Sequence, residues 1–254
     1  MEKPKLFISH IGEEAQLASI FKAHFLSCFL GMIDVFVSSD STSITVGNKW
    51  LDDVDVALKT ANVELILCST ESVKRPWINF EAGAGWVKGI PVIPVCHIGM
   101  RPVDLPIPLN MLQCIEANNE RGLEKIYALL AKTLGATTPN ADFTQIAKEV
   151  RDFEHDYGLV RVVQSAIQPL INLLPELEEI FRPSPTHKVA QGDVSELVLD
   201  KMRSHLEFLQ GRGLLDFALG SNKIVFGQGG DGNVIELKLQ VHDSYYQIAS
   251  KVMK

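Results

Sequence analysis

Along the first half of this chain, short apolar runs alternate with longer segments of helical period, and few architectures satisfy that alternation: strands interleaved with helices pack as a parallel sheet covered on both faces. Leu6-Phe7-Ile8-Ser9-His10 opens the series. Glu13 to Phe29 follows as a helix, with Leu17, Ile20, Phe21, Phe25 and Phe29 at helical spacing and two acids in the first turn. Asp34-Val35-Phe36-Val37-Ser38 reads as the second strand and Lys49 to Thr60 as the second helix. Val63-Glu64-Leu65-Ile66-Leu67-Cys68 is so nearly continuous in apolar residues that it predicts a strand buried on both faces. Pro76 marks the start of a third helix over Trp77 to Val87. Ile90 to Val95 is a fourth strand whose prolines predict an edge position, and Leu123 to Leu134 is a helix ended by Gly135.

A polar stretch with one proline, Thr137 to Asp142, predicts a boundary, with domains over residues 1–138 and 142–254. Beyond it Phe143, Ile146, Val150 and Phe153 share one helical face, and a further helix runs from Ile167 to Phe181, broken by Arg182-Pro183-Ser184-Pro185. Asp193-Val194-Ser195-Glu196 has the spacing of a capping box and opens a helix to about Gln210. The tail reads as strand Lys223 to Phe226, a glycine turn, strand Asn233 to Val241 and helix Asp243 to Met253. The second domain is therefore expected to be mostly helical and to end in a winged-helix-like hairpin and helix.

Charge and cysteine usage narrow the function classes. Lys and Arg number 12 against 15 Asp and Glu over residues 1–140, and 12 against 16 over 141–254, so neither half carries the basic footprint of a nucleic-acid binder. Cys28, Cys68, Cys96 and Cys114 lack CxxC spacing and read as buried thiols rather than a metal or disulfide framework. No HxxxH or HExxH spacing occurs, so no metal is expected. The N-terminus lacks the apolar run of a signal peptide, and Ala82 to Met100 is interrupted by Lys88, prolines and glycines, so a cytoplasmic protein without a membrane span is expected. Gly227-Gln228-Gly229-Gly230-Asp231-Gly232 matches a dinucleotide-binding string but leads into a strand rather than a helix, which makes it a hairpin turn. Cys96-His97 sits on a strand, where neighbours point to opposite faces, and reads as a core cysteine beside a boundary histidine.

The segment that carries chemistry is Arg75-Pro76-Trp77-Ile78-Asn79-Phe80-Glu81-Ala82-Gly83-Ala84-Gly85-Trp86. In a helix Trp77 and Glu81 share a face, and the Ala/Gly run permits close packing. A glutamate in that apolar setting finds donors, sits at a cleft or takes a raised pKa, and on composition alone a structural carboxylate is as good a reading as a functional one. Trp86 reads as core.

Three pieces give the chain from Lys5 to about Leu134 a resemblance to bacterial Toll/interleukin receptor (TIR) domains: the strand Phe7-Ile8-Ser9-His10, the polar loop Ser38 to Gly47 leading to Trp50, and the WxxxE segment Trp77 to Glu81. The resemblance implies a flavodoxin-like fold and, as in many bacterial members, cleavage of NAD+ at the nicotinamide–ribose bond to give ADP-ribose or a cyclic product. It places the catalytic glutamate at Glu81 and the substrate-binding cleft at Ser9, His10, Ser38, Asp40, Trp50 and Trp77. It requires Glu81 to face a solvent-reachable pocket large enough for a dinucleotide. It further implies self-association, no cofactor beyond NAD+ as substrate, a contact or activator at the second domain, and a role in anti-phage defence. A non-catalytic TIR adaptor and a nucleoside ribosyl-transferring enzyme are the rival readings.

Overall fold

The computed structural model describes residues 3–38, 50–225 and 232–252. By its internal contacts the chain divides into two compact units, residues 1–155 and 156–254.

The first unit is built on five parallel strands in the order β2-β1-β3-β4-β5: β1 (Lys5–Ser9), β2 (Asp34–Val37), β3 (Val63–Cys68), β4 (Val92–Cys96) and β5 (Ile115–Glu116). Between them run α1 (Ala15–Cys28), α2 (Trp50–Thr60) and α3 (Pro76–Lys88), and α4 (Glu120–Leu134) follows β5. All six residues of β3 are buried, as a central parallel strand requires. Gly89 and Gly135 end α3 and α4 in the left-handed conformation that glycine adopts without steric penalty.

Strand β4 departs from the expected edge position, because β5 pairs with it. The two-residue β5 reaches only Val95 and Cys96, so Pro91 and Pro94 lie outside that pairing and no ladder donor is missing there. The apolar pattern gave β5 no signal, since a two-residue strand is shorter than any period.

The polar stretch at 137–142 does not coincide with the division between units, which falls at residues 155 and 156 inside one continuous helix, α5 (Phe143–Leu173). The part of α5 from Phe143 to His155 belongs to the first unit. Phe143 meets Tyr127 edge-on at 5.1 Å, Ile146, Ala147, Val150 and Phe153 are buried, and Glu154 accepts hydrogen bonds from the Ile98 amide and Asn118 Nδ2, both at 2.8 Å. Those contacts explain why the division lies later than the composition suggests. The expected separate helix from Ile167 is instead the last two turns of α5, which continues through Pro169, and a 3-10 helix follows over Pro175–Phe181.

The second unit contains β6 (Val189–Ser195), α6 (Glu196–Gln210), β7 (Leu215–Val225), β8 (Gly232–Val241) and α7 (Asp243–Val252), its strands forming an antiparallel sheet in the order β6-β8-β7. Ser195 caps α6 by accepting from the Val198 amide, two residues later than the expected cap Asp193, which instead lies in β6. The second hairpin strand and the final helix are as expected, but β7 starts at Leu215, eight residues before the expected Lys223, and β6 is an additional strand with no apolar alternation to announce it. Its core joins Leu199, Met202 and Leu206 of α6 to Leu237, Leu239 and Tyr245, and Tyr245 Oη donates to the Phe181 carbonyl at 2.6 Å. Of the glycine string only Gly232, the first residue of β8, falls within the described residues. No described helix is long and apolar enough to cross a membrane.

Candidate active site

Side chains from two elements meet at Glu81. Ser9 closes β1 on the same face as Phe7, since alternate strand residues share a face, and Phe7 packs against α2. Pro76 opens α3, where its fixed φ and missing N–H suit the first helical position, so Trp77 and Glu81 fall one turn apart. Ile78, Glu81, Ala82 and Gly85 form the buried stripe of α3. Ser9 Oγ donates to Glu81 Oε2 at 2.5 Å, and Trp77 Nε1 donates to Oε1 at 2.6 Å. Each carboxylate oxygen therefore has a donor, and the group sits at the carboxyl end of β1, the rim where open α/β sheets bind ligands.

Burial pushes the Glu81 carboxyl up to about 7, against the two hydrogen bonds, which favour the charged form. Its exposure is 0%. The expectation that Glu81 opens onto solvent is thus corrected: α3 packs on β3 and β4, and Ser9 and Trp77 close over the carboxylate oxygens. A cavity of about 1080 Å³ lies beside α2 and α3, lined by Val54, Leu58, Trp77, Phe80, Ala84 and Trp86 among others. Its volume suits a small-molecule ligand. Glu81 does not line it, but Trp77 does, with its Nε1 on Glu81.

His10 and Ser38 meet at the adjoining ends of β1 and β2. The His10 amide donates to Ser38 Oγ at 3.4 Å, and His10 Nδ1 lies 2.6 Å from the Ile11 carbonyl, which can only accept, so Nδ1 carries the proton. Burial holds the His10 pKa below the ordinary histidine value, and the ring is neutral at pH 7. Asp40 lies outside the described residues, and Trp50 is placed only as the first residue of α2. The structure therefore joins Ser9, Trp77 and Glu81 directly and pairs His10 with Ser38.

Two buried carboxyls escaped the sequence reading. Glu14 accepts from Ser69 Oγ at 2.7 Å and from the Ile11 amide at 3.2 Å, and its Oε1 lies 3.0 Å from His97 Nε2, at ion-pair distance but outside hydrogen-bond geometry. His97 is consequently buried rather than at a boundary. Glu64 is the second residue of β3, and an acid inside so apolar a run was the available signal. Trp86, read as core, is 69% exposed, because the inward stripe of α3 passes through Ala82 and Gly85 and leaves the indole to one side. All four cysteines are free thiols. Cys68 and Cys96 are buried, while Cys28 and Cys114 are only half-buried, near the ends of elements. Among the described residues no group of three or more His, Cys, Asp and Glu is placed to hold a metal ion.

A parallel sheet in this order, with a hydrogen-bonded carboxylate over the end of β1, defines a flavodoxin-like α/β domain with a candidate site at its rim. The TIR domain family model matches residues 6–130, and that part of the chain is a TIR domain. Among solved structures, the TIR domain of the Toll-related receptor TRR-2 from Hydra magnipapillata is similar at 17% identity, covering 51% of this chain and 97% of that one, with a TM-score of 0.40. The TIR domains of the activated Roq1 resistosome, which directly recognises the pathogen effector XopQ, are similar at 13% identity, covering 59% and 98%, with a TM-score of 0.35. No curated protein matches the chain.

Proposed function

We propose that this TIR domain cleaves NAD+ at the nicotinamide–ribose bond with Glu81 as the catalytic residue. The observation that carries the reading is a carboxylate at the sheet's carboxyl rim, held by one hydroxyl and one indole donor and titrating near neutrality. Glycosidases pair two carboxyls because a sugar leaving group must be protonated. The nicotinamide of NAD+ is cationic and leaves neutral, so no acid is needed. Ionised Glu81 stabilises positive charge growing at the anomeric carbon, and water, or a ring nitrogen or hydroxyl of the same nucleotide, captures the ribosyl group. The product is ADP-ribose or its cyclic form.

Because Glu81 is covered in this state, turnover requires a second one in which it is not. We assign the cavity beside Trp77 to the substrate, Trp77 to the side chain that turns aside, and self-association through the TIR domain to the event that favours the open state. Depletion of NAD+ or production of a signalling nucleotide in defence against phage is the setting this reading implies, with the second unit receiving the activating contact.

One observation favours a different reading. A fully buried carboxylate with both oxygens satisfied is also what a structural residue looks like, and a non-catalytic TIR interaction module needs nothing more. Incubating the full chain with NAD+ at high concentration, with and without a crowding agent, and following nicotinamide by chromatography separates the two. Release by the wild type and its loss in Glu81→Gln support the enzyme. Silence of the wild type under both conditions leaves the interaction module. Turnover of a nucleoside but not NAD+ in the same assay assigns ribosyl transfer instead.

A further inference from the structure

Strand β3 is buried along its length, yet one of its residues is an acid. Glu64 shares a face with Ile66 and Cys68, which pack against Ile78 and Ala82 of α3. Helix α3 meets Glu64 with a glycine: a Cβ at Gly85 would stand 1.9 Å from Glu64 Oε2, so the missing side chain provides the space that the carboxyl occupies. Gly85 is one helical turn beyond Glu81. Glu64 has 0% exposure, and neither of its carboxyl oxygens has a hydrogen-bond partner among the described residues.

The groups around it are few. Its neighbours in the sheet, Phe7 on β1 and Val92 on β4, are apolar. The charged groups facing it are Glu81 and Lys88, both from α3, and the Lys88 ammonium is itself engaged by the Leu58 and Ala61 carbonyls at the end of α2. A buried carboxylate without donors is far less stable than the neutral acid, and two carboxyls in one low-dielectric layer resist joint ionisation. Glu81 has two donors and Glu64 has none, so the asymmetry decides which of them ionises.

We propose that Glu64 is a positioning residue for Glu81: the two carboxyls form a buried acid pair in which Glu64 keeps its proton and Glu81 carries the single negative charge toward the ligand. The titration behaviour agrees, since burial, followed by the charge of Glu81, pushes Glu64 up to about 9 while Lys88 opposes. The pairing stands on the burial of Glu64, its unpartnered oxygens and its seat against Gly85 one turn from Glu81, and its catalytic consequence rests on the proposed function. A cation that reaches Glu81 weakens the hold of Glu64 on its proton, and ionising Glu64 adds a second negative charge beside a developing oxocarbenium.

Infrared titration of the full chain tests the pair through the carbonyl stretch of a protonated carboxylic acid, at a pH where ordinary carboxyls are ionised. At pH 8 the wild type is expected to retain that band, and Glu64→Gln to lose it. Glu81→Gln should keep the band at pH 7 and lose it at lower pH than the wild type, because the opposing charge is gone. Absence of the band from the wild type overturns the pair even if neither variant folds, and so does its survival in Glu64→Gln or an unmoved titration in Glu81→Gln. Nicotinamide release from NAD+ between pH 7 and 10 tests the consequence: the wild-type rate should climb several-fold more through pH 9, where Glu64→Gln stays flat. Superimposable profiles overturn the positioning role. The band behaving as expected with no release from either protein upholds the acid pair and removes the catalytic reading of Glu81.

Discussion

Replacing Glu81 with glutamine should flatten the dependence of the first unit's stability on pH, and the size of the effect follows from the environment of the side chain. The carboxyl titrates near 7 in the folded protein and near the ordinary 4.5 in the unfolded chain. The folded state therefore binds the proton more tightly, so stability is fully present below pH 4.5 and falls as pH rises towards 7. Integrating the difference in bound protons between pH 5 and 7 gives a loss of about 2 kcal/mol from this one group. Glutamine has no such titration and still offers an acceptor to Trp77 and a donor to Ser9. Folded Glu64 keeps its proton through this window in both proteins, so the stability lost as its unfolded counterpart ionises is common to the two and cancels in the comparison. Trp50, Trp77 and Trp86 all lie in the first unit, so urea unfolding followed by tryptophan fluorescence reads that unit specifically. The wild type should lose about 2 kcal/mol more than Glu81→Gln between the two pH values. Parallel losses, within about 0.5 kcal/mol, would mean that Glu81 titrates as it does in the unfolded chain, and the argument from burial would be wrong.

Ser9→Ala removes a donor that favours ionised Glu81, so the midpoint of the Glu81 titration should move upward from about 7, read by the same pH-dependent unfolding; an unchanged midpoint would show that the short Ser9 contact has no electrostatic weight. Gly85→Ala would place a Cβ 1.9 Å from Glu64 Oε2 and 2.8 Å from Val92 Cγ2 and should destabilise by about 1–3 kcal/mol in urea unfolding. Gly83→Ala in the same helix meets nothing within 4 Å and should stabilise by about 0.5–1 kcal/mol, so similar effects at the two glycines would refute the close approach of Glu64 to α3.

How much of this was legible beforehand differs by element. Strand β3 agrees residue for residue, because a continuous apolar run bounded by polar residues has one reading in a parallel sheet. The WxxxE spacing places Trp77 and Glu81 together because one helical turn is a local property. Contacts between distant segments are not encoded that way. Ser9 reaches Glu81 across 72 residues, and Glu14 reaches Ser69 across 55, through the order of strands rather than through any spacing. The division at 155 and 156 was hidden for the same reason: the composition changes at 137–142, but Phe153 and Glu154 are held by contacts with residues more than 30 positions earlier. Trp86 misled because helical spacing from Ala82 puts it near the buried stripe, while the ring is wide enough to leave it for the adjoining groove.

The rim supplies its own control for reading a buried acid as functional. Glu14 and Glu81 are both fully buried near the carboxyl ends of the strands, and both accept from a serine. Their partners differ in kind. Glu14 is bound to a backbone amide three residues earlier and to Ser69, and its Oε1 lies beside His97, so it ties together the turns that follow β1, β3 and β4; its contacts are those of a brace between loops. Glu81 takes one donor from β1 and one from its own helix, has near it a second acid, Glu64 of β3, seated against Gly85 one turn further along α3, and is joined to a ligand-sized cavity through Trp77. A brace gains nothing from a neighbouring acid that gives it no hydrogen bond. Keeping Glu64 beside Glu81, and Gly85 clear to admit it, makes physical sense where the ionisation of Glu81 itself matters.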